Sequence, residues 1–426
     1  MHSMLKNRPF QWVFAFAVCL LLTGYFHAGK RMNGVIWSDQ EGYYIYLPAL
    51  FVHGGFEQLP CVNGCTTVET EDGQMTFTKY TYGVALMEAP FFLAAHITAP
   101  LFGHERDGRS APYVWAILVA AIFYMLAGIG LLSKLLREFN CSNAISVVVP
   151  LGIVLGTNLF YYTFREAGMS HVYSFFLFAV LIYASHRRSA SGGVGWDILT
   201  ALPLALIILI RPTNAIAILI PILWGVDMKD VSAKLKKFMT DSRWWLAFAV
   251  ALVLFFLPQM LYWKAMTGQF LFYSYGDEGF IYWNRPKILQ VLLSPQNGWL
   301  IYSPIVGMAL LGIGWMLKEK VKGALMPVVV LGLATYSFAS WWAWWFGGAY
   351  GHRCFVDYLP VLALPAAYAV QKIQSAHKWM RIAFGIMAIA AVWVNIRMSY
   401  IYQGMWDGPN WGWHSYFEKL SEVFFR

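Results

Sequence analysis

Long apolar runs alternate with short polar segments along the chain. Runs of about 20 residues suit a helix that crosses a hydrocarbon core of about 30 Å. They occur near residues 11–28, 112–133, 143–163, 170–185, 244–263, 298–317, 324–344, 355–371 and 381–400. The first run follows a short basic start but lacks a convincing cleavage site, so we interpret it as an uncleaved span. The pattern predicts an all-α polytopic membrane protein.

The apolar stretch 82–103 is ambiguous, because Glu88, Pro90, His96 and Pro100 interrupt it. Counted as a crossing, it would place the basic clusters at 134–137 and 186–188 outside, against the positive-inside rule. We therefore predict a juxtamembrane helix within one long external segment.

A second ambiguous stretch, 198–226, is cut by the sequence Arg211-Pro212-Thr213-Asn214. As one helix it would be about 45 Å long, and the basic stretch 229–243 would end up outside. Two short helices that meet at a turn keep that stretch inside. We predict such a hairpin, with its turn below the outer surface, in protein or in a water-filled recess.

These choices give about eleven crossings with a cytoplasmic amino terminus. We predict a single integral-membrane domain over 1–426, made of an external loop at 29–111, a multi-span bundle at 112–400 and an external tail at 401–426. Composition agrees, since 59% of the 426 residues are hydrophobic and only 12% are charged. The net charge of +9 comes from Lys and Arg clusters between apolar runs, which indicates topology rather than nucleic-acid binding.

Unusual polar residues concentrate on the predicted outer side. Ionisable groups inside a membrane cost about 2.5–3.5 kcal/mol each and tend to be functional. One recess on the outer face would explain them together. They are Asp39, Glu41, Arg165, Glu166, His171, Arg211, Asn214, Asp277, Glu278, His352, Arg353 and Asp357.

Asp39 lies in the sequence Trp-Ser-Asp-Gln-Glu-Gly-Tyr-Tyr, where the first run leaves the bilayer. A carboxylate beside aromatic rings at a membrane rim can have its pKa raised by desolvation, which suits a general base for a hydroxyl. The alternative is a solvated loop aspartate. Glu41, two residues on, either assists or points away.

Arg211 lies at the turn between two buried half-helices and needs an anion. A lipid phosphate supplies a bidentate partner; the alternatives are an ion pair with Glu166 or Asp357, or a helix-capping role. Arg353 ends a Gly-rich loop that lacks the P-loop pattern.

The remaining polar residues leave several alternatives open. His171 is a ligand, an acid or a satisfied core histidine. Asp39, Glu166, His171 and His352 could assemble a divalent metal site, but they lack a recognisable ligand spacing, so we predict no cofactor and keep a divalent metal ion as the minority alternative. Cys61 and Cys65 form either a local disulfide or two idle thiols.

In these motifs and their order the chain resembles the integral-membrane glycosyltransferases of the C-type fold. It looks most like the bacterial relatives of protein mannosyltransferases and aminoarabinose transferases. The motifs are Trp-Ser-Asp-Gln-Glu-Gly-Tyr-Tyr, Lys79-Tyr80-Thr81-Tyr82-Gly83, Ser170-His171-Val172-Tyr173, Arg211-Pro212-Thr213-Asn214, Ser294-Pro295-Gln296-Asn297-Gly298 and Tyr350-Gly351-His352-Arg353 with Asp357.

The resemblance implies a transferase that uses a polyprenyl-phosphate-linked sugar at the outer face of a bacterial inner membrane. Asp39 would be the base, Glu41 its companion, and Arg211 and Arg353 would hold the donor phosphate. The family often has adjacent Asp-Glu where Gln40 here separates the two acids. Further site candidates are Lys79, Arg165, Glu166, His171, Asn214, Tyr350, His352 and Asp357.

The acceptor would be a lipid, a glycan or a protein, and no nucleic acid is implied. The alternative function is a transporter or flippase of lipid-linked sugars. A transporter usually has repeated halves and ionisable residues through its core, whereas we find no repeat and the ionisable groups gather on one side.

Overall fold

The computed structural model describes residues 8–27, 34–70, 73–404, 406–408 and 410–425. The predicted cytoplasmic amino terminus (1–7) and the start of the predicted external loop (28–33) lie outside these ranges. Contacts divide the chain into two compact units. The first unit comprises Met1–Ala127, Tyr162–Tyr173 and Leu254–Gly276, and the second comprises Gly128–Tyr161, Ser174–Val253 and Asp277–Arg426.

The chain is predominantly helical. The first elements are α1 (Arg8–His27), α2 (Asp39–Tyr44), α3 (Tyr46–Pro48) with a π-helical turn at Ala49–His53, β1 (Thr66–Thr70), β2 (Gly73–Phe77), α4 (Gly83–Thr98) with a 3-10 turn at Ala99–Phe102, α5 (Ala111–Glu138), α6 (Asn143–Gly156), α7 (Leu159–Phe164), α8 (Ser170–Ser191) and α9 (Val194–Ile210). After a 3-10 segment at Pro212–Ile218 come α10 (Leu219–Leu223), a 3-10 turn at Met228–Asp230, α11 (Val231–Met239), α12 (Ser242–Thr267), α13 (Ile288–Leu293), α14 (Trp299–Tyr302), α15 (Val306–Lys318), α16 (Leu325–Ser340), a 3-10 segment at Arg353–Leu362, α17 (Ala363–Gln374), α18 (Lys378–Ile401) and α19 (Trp413–Phe425).

Several helical stretches have the length and composition of membrane spans. Within the described residues there are five such stretches: Gly83–Phe102, Ala111–Glu138, Ser242–Thr267, Arg353–Gln374 and Lys378–Ile401. The prediction of an all-α polytopic membrane protein is confirmed. The number of crossings stays a prediction, as does the juxtamembrane position of 82–103, because Gly83–Phe102 also qualifies as a span.

The predicted break at Arg211 is present. Helix α9 ends at Ile210, and Arg211 has an extended backbone with φ −147° and ψ 106°. Pro212 explains this, since a proline disfavours the helical region for the residue before it. The chain then continues as a 3-10 helix.

In the first unit, the β1–β2 hairpin packs against the end of α12. The two strands pair antiparallel, with Thr66 opposite Phe77. The Phe77 ring stacks on Tyr262 with centroids 6.0 Å apart, and the Tyr262 hydroxyl accepts a hydrogen bond of 2.9 Å from the Thr78 amide. The sequence analysis did not predict this hairpin, which anchors the segment between α2 and α4.

In the second unit, α15 and α17 pack with their backbones close together. A β-carbon at Gly312 would overlap the Pro365 carbonyl group, so only glycine allows this approach. Trp299, at the start of α14, stacks on Phe355 with centroids 3.8 Å apart and the planes nearly parallel. Large apolar side chains therefore fix the 3-10 segment that carries Arg353 and Asp357.

Candidate functional site

Asp39 follows a strained residue in the first unit. Ser38 has φ 54° and ψ −133°, a conformation that costs a non-glycine residue about 1–3 kcal/mol and persists only where the surroundings impose it. Helix α2 begins at Asp39, and the Gly42 amide donates a 3.2 Å hydrogen bond to the Ser38 carbonyl. Backbone outliers of this kind cluster at functional sites.

A tyrosine lies beside Asp39, and a lysine lies over the ring of that tyrosine. Burial raises the pKa of Tyr80, and the charge and hydrogen bond of Asp39 raise it further. The Tyr43 and Tyr80 rings have centroids 4.3 Å apart. Lys79 Nζ lies 5.6 Å from the Tyr80 ring centre and 5.0 Å from that of Tyr275. Asp39 thus has a phenol donor within its own unit, and Lys79 lies against the ring of that phenol.

Glu41 is completely buried and bound by a cradle of donors. The Val62 amide donates to both carboxylate oxygens, at 3.0 and 2.9 Å, and the Asn63 and Gly64 amides donate to Oε2 at 2.9 and 3.4 Å. Arg109 Nη2 lies 2.7 Å from Oε1. Cys61 and Cys65 close this loop with a disulfide, which was one of the two alternatives left open by the sequence.

The segment that contains the candidates Arg165, Glu166 and His171 meets α2 through Gln40. The Gly168 amide donates to Gln40 Oε1 at 3.1 Å. Arg165 and Glu166 are half-buried. His171 is buried, and its ring lies edge-on to Tyr162 with centroids 4.8 Å apart. The three predicted alternatives for His171 stay open.

In the second unit, Arg211 belongs to a buried polar network. Its Nη1 lies 3.6 Å from Asp357 Oδ2, and the same oxygen accepts a 2.8 Å hydrogen bond from Asn214 Nδ2. The Tyr358 hydroxyl donates to Asn214 Oδ1 at 3.0 Å, and Arg211 Nη2 donates to Cys354 Sγ at 2.8 Å. The ion pair with Asp357, one of the predicted alternatives, is observed. The network holds the guanidinium with its side chain 16% exposed.

The Gly-rich loop before Arg353 is held by an acid that the sequence analysis missed. Asp407 Oδ2 accepts a 2.8 Å hydrogen bond from the Gly348 amide, and burial raises the pKa of Asp407 although Gly348 and Arg353 lower it. Its distance along the chain left no sequence signal that would connect it with the loop.

Tyr350 and His352 lie in this loop and are both buried. The Tyr350 hydroxyl donates to the Asn395 carbonyl at 3.1 Å. His352 Nε2 is 3.1 Å from the Trp344 carbonyl, and burial lowers the pKa of His352 to about 3. At neutral pH this imidazole is uncharged, so it adds no positive charge beside Arg353.

The second unit also contains an apolar groove of about 410 Å³. Helices α6, α15, α17 and α18 line it with aliphatic side chains and Phe384, and no charged residue takes part. We call it the apolar groove. Its chemistry suits a hydrocarbon chain.

The predictions about an outer-face recess and about metals both stay predictions. The recess proposed from the sequence takes residues from both units. For metals, the residues that the structure describes include no group of three or more His, Cys, Asp or Glu side chains placed to hold an ion.

Comparisons with known proteins identify the fold. No protein-family model matches the sequence, and no curated protein matches it. Among solved structures, the chain is similar to ArnT from Cupriavidus metallidurans, determined bound to undecaprenyl phosphate, with a TM-score of 0.58 and 14% identity over 98% of this chain and 70% of that one. The chain therefore has the all-α, polytopic membrane fold of the C-type glycosyltransferases, as its motifs predict.

Proposed function

We propose that the protein transfers a sugar from a polyprenyl-phosphate donor to a hydroxyl acceptor at the outer face of the bacterial inner membrane. The observation that carries the proposal is Asp39, which follows the strained Ser38 and lies beside Tyr80, in a chain with the fold of ArnT. The ArnT structure contains undecaprenyl phosphate, which supports a donor of the same class here.

Asp39 is the proposed general base. It accepts the proton of the acceptor hydroxyl while the acceptor oxygen bonds to the anomeric carbon of the sugar. The bond from that carbon to the donor phosphate oxygen breaks, and the lipid phosphate leaves with the electron pair. This displacement inverts the configuration at the anomeric carbon. It needs no nucleotide, because the phosphate is itself a good leaving group.

Arg211 and Arg353 are the proposed cations for the donor phosphate. Guanidinium groups bind phosphate oxygens in a bidentate manner. Asn214 and Asp357 hold Arg211 in place, and Asp407 supports the loop before Arg353. Lys79 is the corresponding candidate in the unit of Asp39.

The apolar groove is the proposed site for part of the donor's lipid tail. Its walls expose almost no polar atoms, so an isoprenoid chain loses no hydrogen bonds on entering it. The outer-face assignment is supported by the Cys61–Cys65 disulfide, because such bonds persist in oxidising compartments.

The decisive experiment compares Asp39→Asn with the wild type in membranes supplied with a labelled polyprenyl-phosphate sugar. Loss of the base lowers kcat by about 10²–10⁴-fold. Glu69→Gln, at an exposed acid on β1, serves as the matched control and keeps full activity. Normal turnover by Asp39→Asn would refute the proposed base. Label that crosses the membrane without leaving its lipid would instead indicate the flippase.

A further inference from the structure

Glu41 makes so many contacts that its carboxylate has no remaining role as a base. A carboxylate offers about four lone-pair positions. Here two oxygens receive four contacts from three consecutive backbone amides and one from Arg109. With the side chain completely buried, a substrate hydroxyl has no route to it.

The loop that binds Glu41, residues 61–65, is seated directly on α2. A β-carbon at Gly64 would overlap the Ser38 carbonyl and the Gly42 amide. In the other direction, a β-carbon at Gly42 would lie 2.6 Å from the Gly64 carbonyl oxygen. The loop therefore touches the backbone on both sides of Asp39.

The disulfide makes the loop a preformed anion site. It joins Cys61 to Cys65, so the three amides between them converge on one point, as in the backbone nests that bind anions. Arg109 completes the site and also donates to the Pro60 carbonyl. The anion bound there is the carboxylate of Glu41, a group of the protein itself.

We propose that Glu41 is a positioning residue: the disulfide-closed loop 61–65 and Arg109 grip its carboxylate, and this grip fixes Asp39 at the start of α2. The inference rests on the proposed function for its kinetic consequence. The grip on Glu41 also supplies the external support that the strained backbone at Ser38 requires.

The first test is a double-mutant cycle with transfer as the readout. Glu41→Gln places an NH2 group, itself a hydrogen-bond donor, against the backbone amides of the loop, so α2 shifts and kcat falls by about 10–100-fold. The KM for the sugar-phosphate substrate changes by less than about threefold, because no contact with that substrate is lost. Glu41→Asp restores part of kcat because it keeps the charge. In the Asp39→Asn background, Glu41→Gln causes no further loss. A large further loss there, or full activity of Glu41→Gln alone, overturns the inference. Glu57→Gln, at an exposed acid, is the control.

The second test adds a readout that does not require sugar transfer. Reduction of assembled wild-type protein with a phosphine reductant lowers kcat as Glu41→Gln does, and a variant with both Cys61 and Cys65 changed to Ser does not respond to the reductant. Alkylation and mass spectrometry follow the rate of reduction, which is faster in Glu41→Gln because the loop is less well held. Equal reduction rates in the two proteins overturn the inference. If the wild type transfers no sugar, the proposed function fails, and the reduction rates still decide whether the cradle grips Glu41.

Discussion

A single methyl group added at Gly64 tests how tightly loop 61–65 is seated on α2. In Gly64→Ala the new β-carbon would overlap backbone atoms of Ser38 and Gly42 and lie 3.0 Å from the Glu41 carbonyl carbon. All three neighbours are backbone atoms, so no flexible side chain can move aside. The loop itself must retreat from α2, by about 1 Å to reach ordinary contact distance.

The size of the effect follows from this retreat. Overpacking of a close contact costs about 1–3 kcal/mol, and the amide bonds to the charged Glu41, worth about 1.5–3 kcal/mol each, lengthen at the same time. We expect the variant to lose about 3 kcal/mol of stability. A misplacement of about 1 Å at a reacting group lowers the rate by about 10²-fold, so kcat should fall by that factor.

Two measurements check this prediction. Thermal unfolding of the purified protein gives the stability change, and transfer of a labelled polyprenyl-phosphate sugar gives kcat. Gly55→Ala is the matched control, because a β-carbon at Gly55 meets nothing within 4 Å. If Gly64→Ala unfolds and turns over like Gly55→Ala, the loop does not hold α2 in the way we describe.

Three further predictions concern the second unit. Asp357→Asn removes the carboxylate that pairs with the Arg211 guanidinium and should destabilise the protein by about 3–5 kcal/mol. Added undecaprenyl phosphate should then raise the melting temperature of the variant more than that of the wild type. An equal or smaller rise would argue against a phosphate at Arg211. Burial lowers the pKa of His352 to about 3, so between pH 7 and pH 5 acid protonates this histidine only in the unfolded state. The free energy of unfolding should therefore fall by about 2 kcal/mol from pH 7 to pH 5. In denaturation measured at the two pH values, His352→Gln should flatten this dependence. Gly312→Ala should destabilise the α15–α17 contact by about 1–3 kcal/mol. Gly314→Ala, with open space around it, should not destabilise it. Equal melting temperatures of the two variants would contradict the packing argument.

The fold was predictable from sequence where one strong physical signal acts alone. The length and apolarity of the runs predict helices in a membrane, and Pro212 predicts the break at Arg211. The hairpin β1–β2 was missed because its strands are short and largely polar. The sequence contains Asp72-Gly73, a dipeptide typical of tight turns that would have indicated it.

The candidate site was predictable only in part. Asp39 became the candidate base from two features readable along the chain, its charge and its place after the first span. The cradle of Glu41 combines a turn at 61–65 with Arg109, and the support of the Gly-rich loop comes from Asp407. These partners are distant in sequence, and neither local pattern nor composition encodes which backbone amides will converge on a carboxylate.

The Cys61–Cys65 bridge has a consequence for how the protein is made. While the two thiols are reduced, the loop whose amides receive Glu41 lacks its covalent closure, and α2 is held less firmly. Full activity therefore depends on oxidation of this loop as well as on insertion of the first helix. We expect the newly inserted chain to become competent only after a thiol oxidant has acted, which links its maturation to the redox machinery of the host cell.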